Sequence, residues 1–119
     1  MKEVSLLSSN GVNVDEGIEL LGDIETYDEI LEDFLTEFDE KMTKIINYKE
    51  SSDMENYAIM VHALKSDSKY LGFTNLAELA YQHEMESKVN NTQFINNNFE
   101  QLINEANRII DIVKQYLGK

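Results

Sequence analysis

Apolar side chains recur along most of this chain at spacings of three and four, the pattern of helices that each bury one face. The longest such run covers about Ile24 to Lys49, with Tyr27, Ile30, Leu31, Phe34, Leu35, Phe38, Met42, Ile45 and Ile46 as its stripe. Before it, Val14, Ile18 and Leu21 form a narrow strip over about Val14 to Leu21. Asn13 and Glu16 suit the helix start, and Gly22 suits a left-handed exit. Ser51-Ser52-Asp53 interrupts the pattern, with Ser52 and Glu55 as the expected cap pair of a third helix from about Asp53 to Leu71 that ends at Gly72. Thr74-Asn75 with Glu78 is expected to open a fourth helix to about Lys88, whose inward side holds Leu76, Leu79, Ala80 and His83. A break at Val89-Asn90-Asn91-Thr92 precedes a last helix to about Leu117, with Ile95, Phe99, Leu102, Ala106, Ile109, Val113 and Leu117 along one side. The Asn96-Asn97-Asn98 run is a poor helix former and blurs where that helix begins. Residues 1–12 show no sustained period and are expected to be a loosely attached lead-in.

No stretch alternates with period two, so the chain is predicted to be all-α. Four substantial amphipathic helices with short connections predict an antiparallel up-and-down four-helix bundle over 13–119, with the short N-terminal helix as a cap. Composition narrows the function classes. There is no cysteine, which removes disulfides, thiolate metal ligands and a thiol nucleophile. Net charge is −13, and residues 15–55 carry −12 of it, mostly as a solvated face of the long helix. Such a chain is a poor binder of nucleic acid or anionic membrane, which need clustered cations. Neither a signal peptide nor a segment of membrane-spanning length is present, so a cytoplasmic protein is the expectation.

Candidate chemistry sits in the third helix. His62 points about 180° away from Leu64 and Leu71, on a stripe shared with Ala58, Lys65, Ser66 and Lys69. An imidazole therefore faces solvent with small side chains a turn away and two ammonium groups beside it. The third and fourth helices are joined by a very short turn near Phe73. Residues equidistant from that turn meet at one height, and His62 and Glu84 each lie 11 residues from Phe73. The Glu84 carboxylate could accept a hydrogen bond from Nδ1–H, leaving the Nε2 lone pair outward as a nucleophile towards phosphorus. Lys65 and Lys69 would offset the incoming charge.

The run Val-His-Ala-Leu-Lys-Ser-Asp-Ser-Lys-Tyr-Leu-Gly, 61–72, resembles the signature of histidine-containing phosphotransfer (HPt) domains, usually His-x-Leu-Lys-Gly followed by Leu-Gly. The similarity extends over roughly 12–90, including Leu76 to Glu84, which resembles the family's Leu-Ala-x-Leu-Ala-x-x-x-Glu/Gln segment. The resemblance implies a four-helix bundle carrying phosphate on His62, with Lys65 as the family lysine and Glu84 as the residue that orients the ring. Ser66 stands where the family has glycine, and it is small enough to let a partner approach. His83 stands where an apolar residue is usual and is expected to be a helix-packing histidine.

The implied activity is reversible transfer between His62 and aspartyl phosphates on response-regulator receiver domains fed by a hybrid sensor kinase. The chain would act as a monomeric intermediate and not as an enzyme. No cofactor is implied in this chain: magnesium would come with the receiver, and no Gly-x-x-x-x-Gly-Lys loop occurs. Ile59 and Phe73 would belong to an apolar docking rim. Two other classes compete. A di-metal bundle would need Glu-x-x-His, but Ile59 and Ala80 occupy the positions three before His62 and His83. A degenerate HPt-like module that sequesters a receiver without taking phosphate has no need of both His62 and Lys65.

Overall fold

A computed structural model describes residues 2–119. Among these residues six helices account for nearly all of the backbone, with no strand: α1 Val4–Ser8, α2 Val14–Leu21, α3 Ile24–Glu50, α4 Met54–Leu71, α5 Thr74–Lys88 and α6 Thr92–Leu117. Twenty-seven residues at about 1.5 Å each make α3 about 40 Å long. The longest axis of the molecule is 43 Å, so this helix sets its length.

The long helices pack as a helical bundle. α4 and α5 form the tightest pair; α3 lies against α4 and α6, and α5 closes against α6. The expected stripes supply the core, with Tyr27, Leu31, Leu71, Leu76, Ala80, Ile95, Leu102 and Val113 all fully buried, and Val61 of α4, outside any expected stripe, is fully buried with them. The edges of the stripes behave differently. Ile30, Leu35, Phe99 and Leu117 are only partly covered, and Ile46 is exposed. On α6 the buried face is wider than expected and takes in Ile110, Ile112 and Tyr116.

The turn between α4 and α5 is fixed by backbone chemistry. Phe73 N–H donates to the Ser68 carbonyl and Gly72 N–H to that of Lys69, the paired bonds of a Schellman ending. Gly72 has φ of +81°, and a Cβ there would run into the backbone of Asn13. The close approach is used: Asn13 N–H donates to the Gly72 carbonyl at 2.8 Å, pinning the start of α2 to the hairpin. The Tyr27 hydroxyl donates to the Leu71 carbonyl at 2.6 Å and ties α3 to the same corner.

Four sequence expectations need correction. The N-terminal segment is not loose: α1 packs on α6, Leu7 is fully buried, and Arg108 donates to the Asn10 carbonyl at 3.0 Å. Five residues are too few to show a period, so its anchoring leucines, Leu7 with the partly buried Leu6, carried no signal. The cap of α4 is Asp53, which accepts from Asn56 N–H, while Ser52 is the left-handed residue (φ +55°) of the turn before it. α5 has no side-chain cap and follows directly from Phe73, so the Asn75–Glu78 pair does not form. Phe73 itself is 1% exposed, edge-on to Phe34 at 5.3 Å, and belongs to the core instead of a docking rim. The Asn13–Glu16 pairing at α2 is present, and the three asparagines lie inside α6, which starts at Thr92 with Asn91 as cap.

Candidate functional site

His62 is placed by α4 and Glu84 by α5, and the rigid turn fixes their relative height. The His62 side chain is 56% exposed, while the Glu84 side chain is 3% exposed. His62 Nδ1 lies 2.7 Å from Glu84 Oε2. A carboxylate accepts only, so Nδ1 carries the hydrogen and donates. Nε2 of the neutral ring then holds a lone pair on the opposite, open side.

The carboxylate is held from two more directions. Lys65 Nζ lies 2.9 Å from Oε1, and Lys88 Nζ lies 2.9 Å from Oε2. Burial would push the Glu84 carboxyl up. The two ammonium groups and the His62 ring outweigh it and hold it at about 2. Glu84 is therefore ionised throughout the neutral range, where it is an acceptor only.

Around the ring the sequence-predicted residues divide. Ala58 and Ile59 line an open groove that runs from His62 along α4 and α5, with Met54, Ser87 and Lys88 completing its walls. Ala58 is buried at its floor, and Ile59 is 61% exposed at its lip. Lys69 is exposed and lies with Lys65 in a second hollow bounded by Gly72, Thr74, Glu78 and Tyr81. The Lys65 ammonium also sits 5.5 Å above the Tyr81 ring. Ser66 is half-buried on α4 and lines neither hollow.

Sequence reasoning missed Lys88. The available signal was its position four residues after Glu84, one turn along the same helix face. His83, by contrast, is a packing residue. Its Nε2–H donates to the Asn98 carbonyl at 3.2 Å, so its Nδ1 accepts from the Tyr57 hydroxyl at 2.8 Å. Burial pushes its titration below the ordinary value, against the opposing pull of the Asn98 carbonyl, and keeps the ring neutral.

Among the described residues no group of three or more His, Cys, Asp or Glu side chains is arranged to hold a metal ion, and no helix is long and apolar enough to cross a membrane. A family model for the Hpt domain matches residues 29–112, a span that includes His62, Lys65, Glu84 and Lys88. The chain belongs to the Hpt domain family, whose members are phosphotransfer intermediates that interact with response-regulator receiver domains in phosphorelays. Searches of curated proteins and of solved structures give no match.

Proposed function

We propose that this chain is a histidine phosphotransfer protein of a two-component phosphorelay and that His62 carries the phosphoryl group. The observation that bears the most weight is the 2.7 Å contact from Nδ1 to a buried carboxylate, made by a ring that is otherwise open to solvent. A receiver-bound aspartyl phosphate is attacked in line by Nε2. The N–P bond forms as the acyl P–O bond breaks, and the departing electron pair stays on the aspartate carboxylate of the receiver. No proton needs to move: the ring becomes a phosphoimidazolium whose positive charge faces Glu84. The reverse step delivers the group to a second receiver. Magnesium and most of the charge stabilisation come from the receiver, so the bundle is an intermediate and not an enzyme in its own right.

Glu84 orients the ring, and Lys65 secures Glu84 from beside the site. Small Ala58 and Ser66 leave room for a partner, Ile59 gives it an apolar foothold, and Lys69 lies at the fringe. The pairing of α3, α4, α5 and α6 through short connections supports an antiparallel up-and-down four-helix bundle over 13–119, with α2 as its cap. The net charge of −13 fits a cytoplasmic protein, acting as a monomer, whose partners are receiver domains of a hybrid sensor kinase and of response regulators, with no nucleic acid and no membrane.

The test is incubation with a receiver domain carrying radiolabelled phosphate. The wild-type chain gains an acid-labile, alkali-stable label, and His62→Gln gains none while its far-ultraviolet circular dichroism is unchanged. A wild-type chain that binds the phosphorylated receiver yet never takes up label would be a docking module.

A further inference from the structure

Among the groups that contact the Glu84 carboxylate, Lys88 is the one that the transfer chemistry above leaves without a role. It projects from the last turn of α5, 57% exposed, and could be taken for one more helix-surface ion pair. Exposed pairs at this spacing are worth little. The partner here is not exposed, however: Lys88 reaches a carboxylate buried to 3% and contacts Oε2, the same oxygen that accepts from His62 Nδ1. Lys65 takes the other oxygen. Two donors thus share one atom, and the pull of Oε2 on the imidazole depends on what Lys88 withdraws from it.

We propose that Lys88 is a positioning residue that sets how strongly Glu84 holds the proton of His62, and so the lowest pH at which His62 remains a neutral nucleophile. This inference rests on the phosphotransfer reading of His62. The titratable groups at the ring and its carboxylate partner are Lys65 from α4 and Glu84 and Lys88 from α5, and Glu55 of α4 lines the same groove. Removing Lys88 deletes a cation near the ring and leaves Oε2 undivided for Nδ1–H. Both changes favour the protonated imidazolium, so the sign is the same for each.

Phosphoramidate, a small donor that needs no docking surface, separates this role from a contribution of Lys88 to the groove. The initial rate of His62 phosphorylation is followed from pH 5.5 to 8.5 in wild type, Lys88→Met and Lys88→Arg. In Lys88→Met the acid limb is expected to move up by about half a pH unit, so the rate relative to wild type falls about threefold near pH 6 and is unchanged near pH 8. Lys88→Arg, which keeps the cation, follows wild type. Coincident profiles for Lys88→Met and wild type, or an equal loss at every pH, overturn the proposal. Absence of label on His62 of the wild-type chain with both phosphoramidate and a phosphorylated receiver would instead remove the phosphotransfer reading.

Discussion

At the scale of single residues, the site depends on one buried carboxylate and the groups that converge on it. Glu84 has almost no access to water, so its charge is stabilised by His62, Lys65 and Lys88 instead. Substitution of Glu84 by alanine is expected to slow phosphotransfer about tenfold by freeing the ring and to lower stability at neutral pH by about 1–3 kcal/mol, because the buried charge and its three contacts are lost together. Stopped-flow transfer rates and urea midpoints read the two effects separately; a large loss of stability with normal transfer would make Glu84 structural. Lys65→Ala is expected to slow transfer by a similar factor with its fold intact, and an unchanged rate would remove its role. The pairing of His62 with Glu84 was legible before any coordinates, since both lie 11 residues from Phe73 and a short turn leaves antiparallel helices in register. Phe73 was misjudged because an aromatic side chain beside a turn can point either way, and only packing against Phe34 decides. Lys88 was passed over because a lysine near a helix end is ordinarily a solubilising group, and nothing in the sequence reveals that Glu84 is buried.

At the scale of elements, the hairpin of α4 and α5 is the frame that holds the site. Its corner requires Gly72 twice over, for the left-handed φ and for the backbone of Asn13 lying where a Cβ would be. Gly72→Ala is expected to cost about 2 kcal/mol or more, since a backbone collision adds to the usual penalty for a positive φ. A denaturant midpoint equal to wild type would mean that α2 does not need to dock there. Helix periods and the glycine stop were readable from sequence because they are local: α2 ends as expected, and α3, α4 and α5 differ by one residue or less. Caps at α4 and α5 were less readable, because neighbouring Ser, Asp, Thr and Asn side chains all suit an N-terminus and the backbone path selects among them. α1 was invisible for the reason that its stability comes from α6 and Arg108, which lie far along the chain.

At the scale of the whole molecule, three buried titratable groups give acid sensitivity in two stages, His83 in the upper and Glu84 with Glu105 in the lower. His83 in the folded protein resists protonation relative to its ordinary value of 6.5. Its contribution to stability is therefore complete above that pH and is lost as pH falls below it, because the unfolded chain binds the proton first. Glu84 behaves likewise lower down, its contribution fading as pH falls from 4.5 towards about 2. Urea midpoints measured between pH 7.5 and 3 should thus decline in both windows. His83→Leu should lose the upper decline and be about 1–3 kcal/mol less stable at neutral pH, because the Tyr57 hydroxyl is left without its acceptor. An upper decline that persists in this variant would assign it to another group. The bundle as a whole, then, separates its two histidines: one locks three helices together inside, and the other faces outward, where the proposed phosphotransfer needs it. That division is tested most directly by phosphorylating the nitrogen-15-labelled chain and locating the phosphorus by its coupling to ring nitrogens. The account predicts a single phosphohistidine, at Nε2 of His62, with Nδ1 still protonated towards Glu84. Phosphorus on Nδ1, on His83, or on no histidine would contradict it.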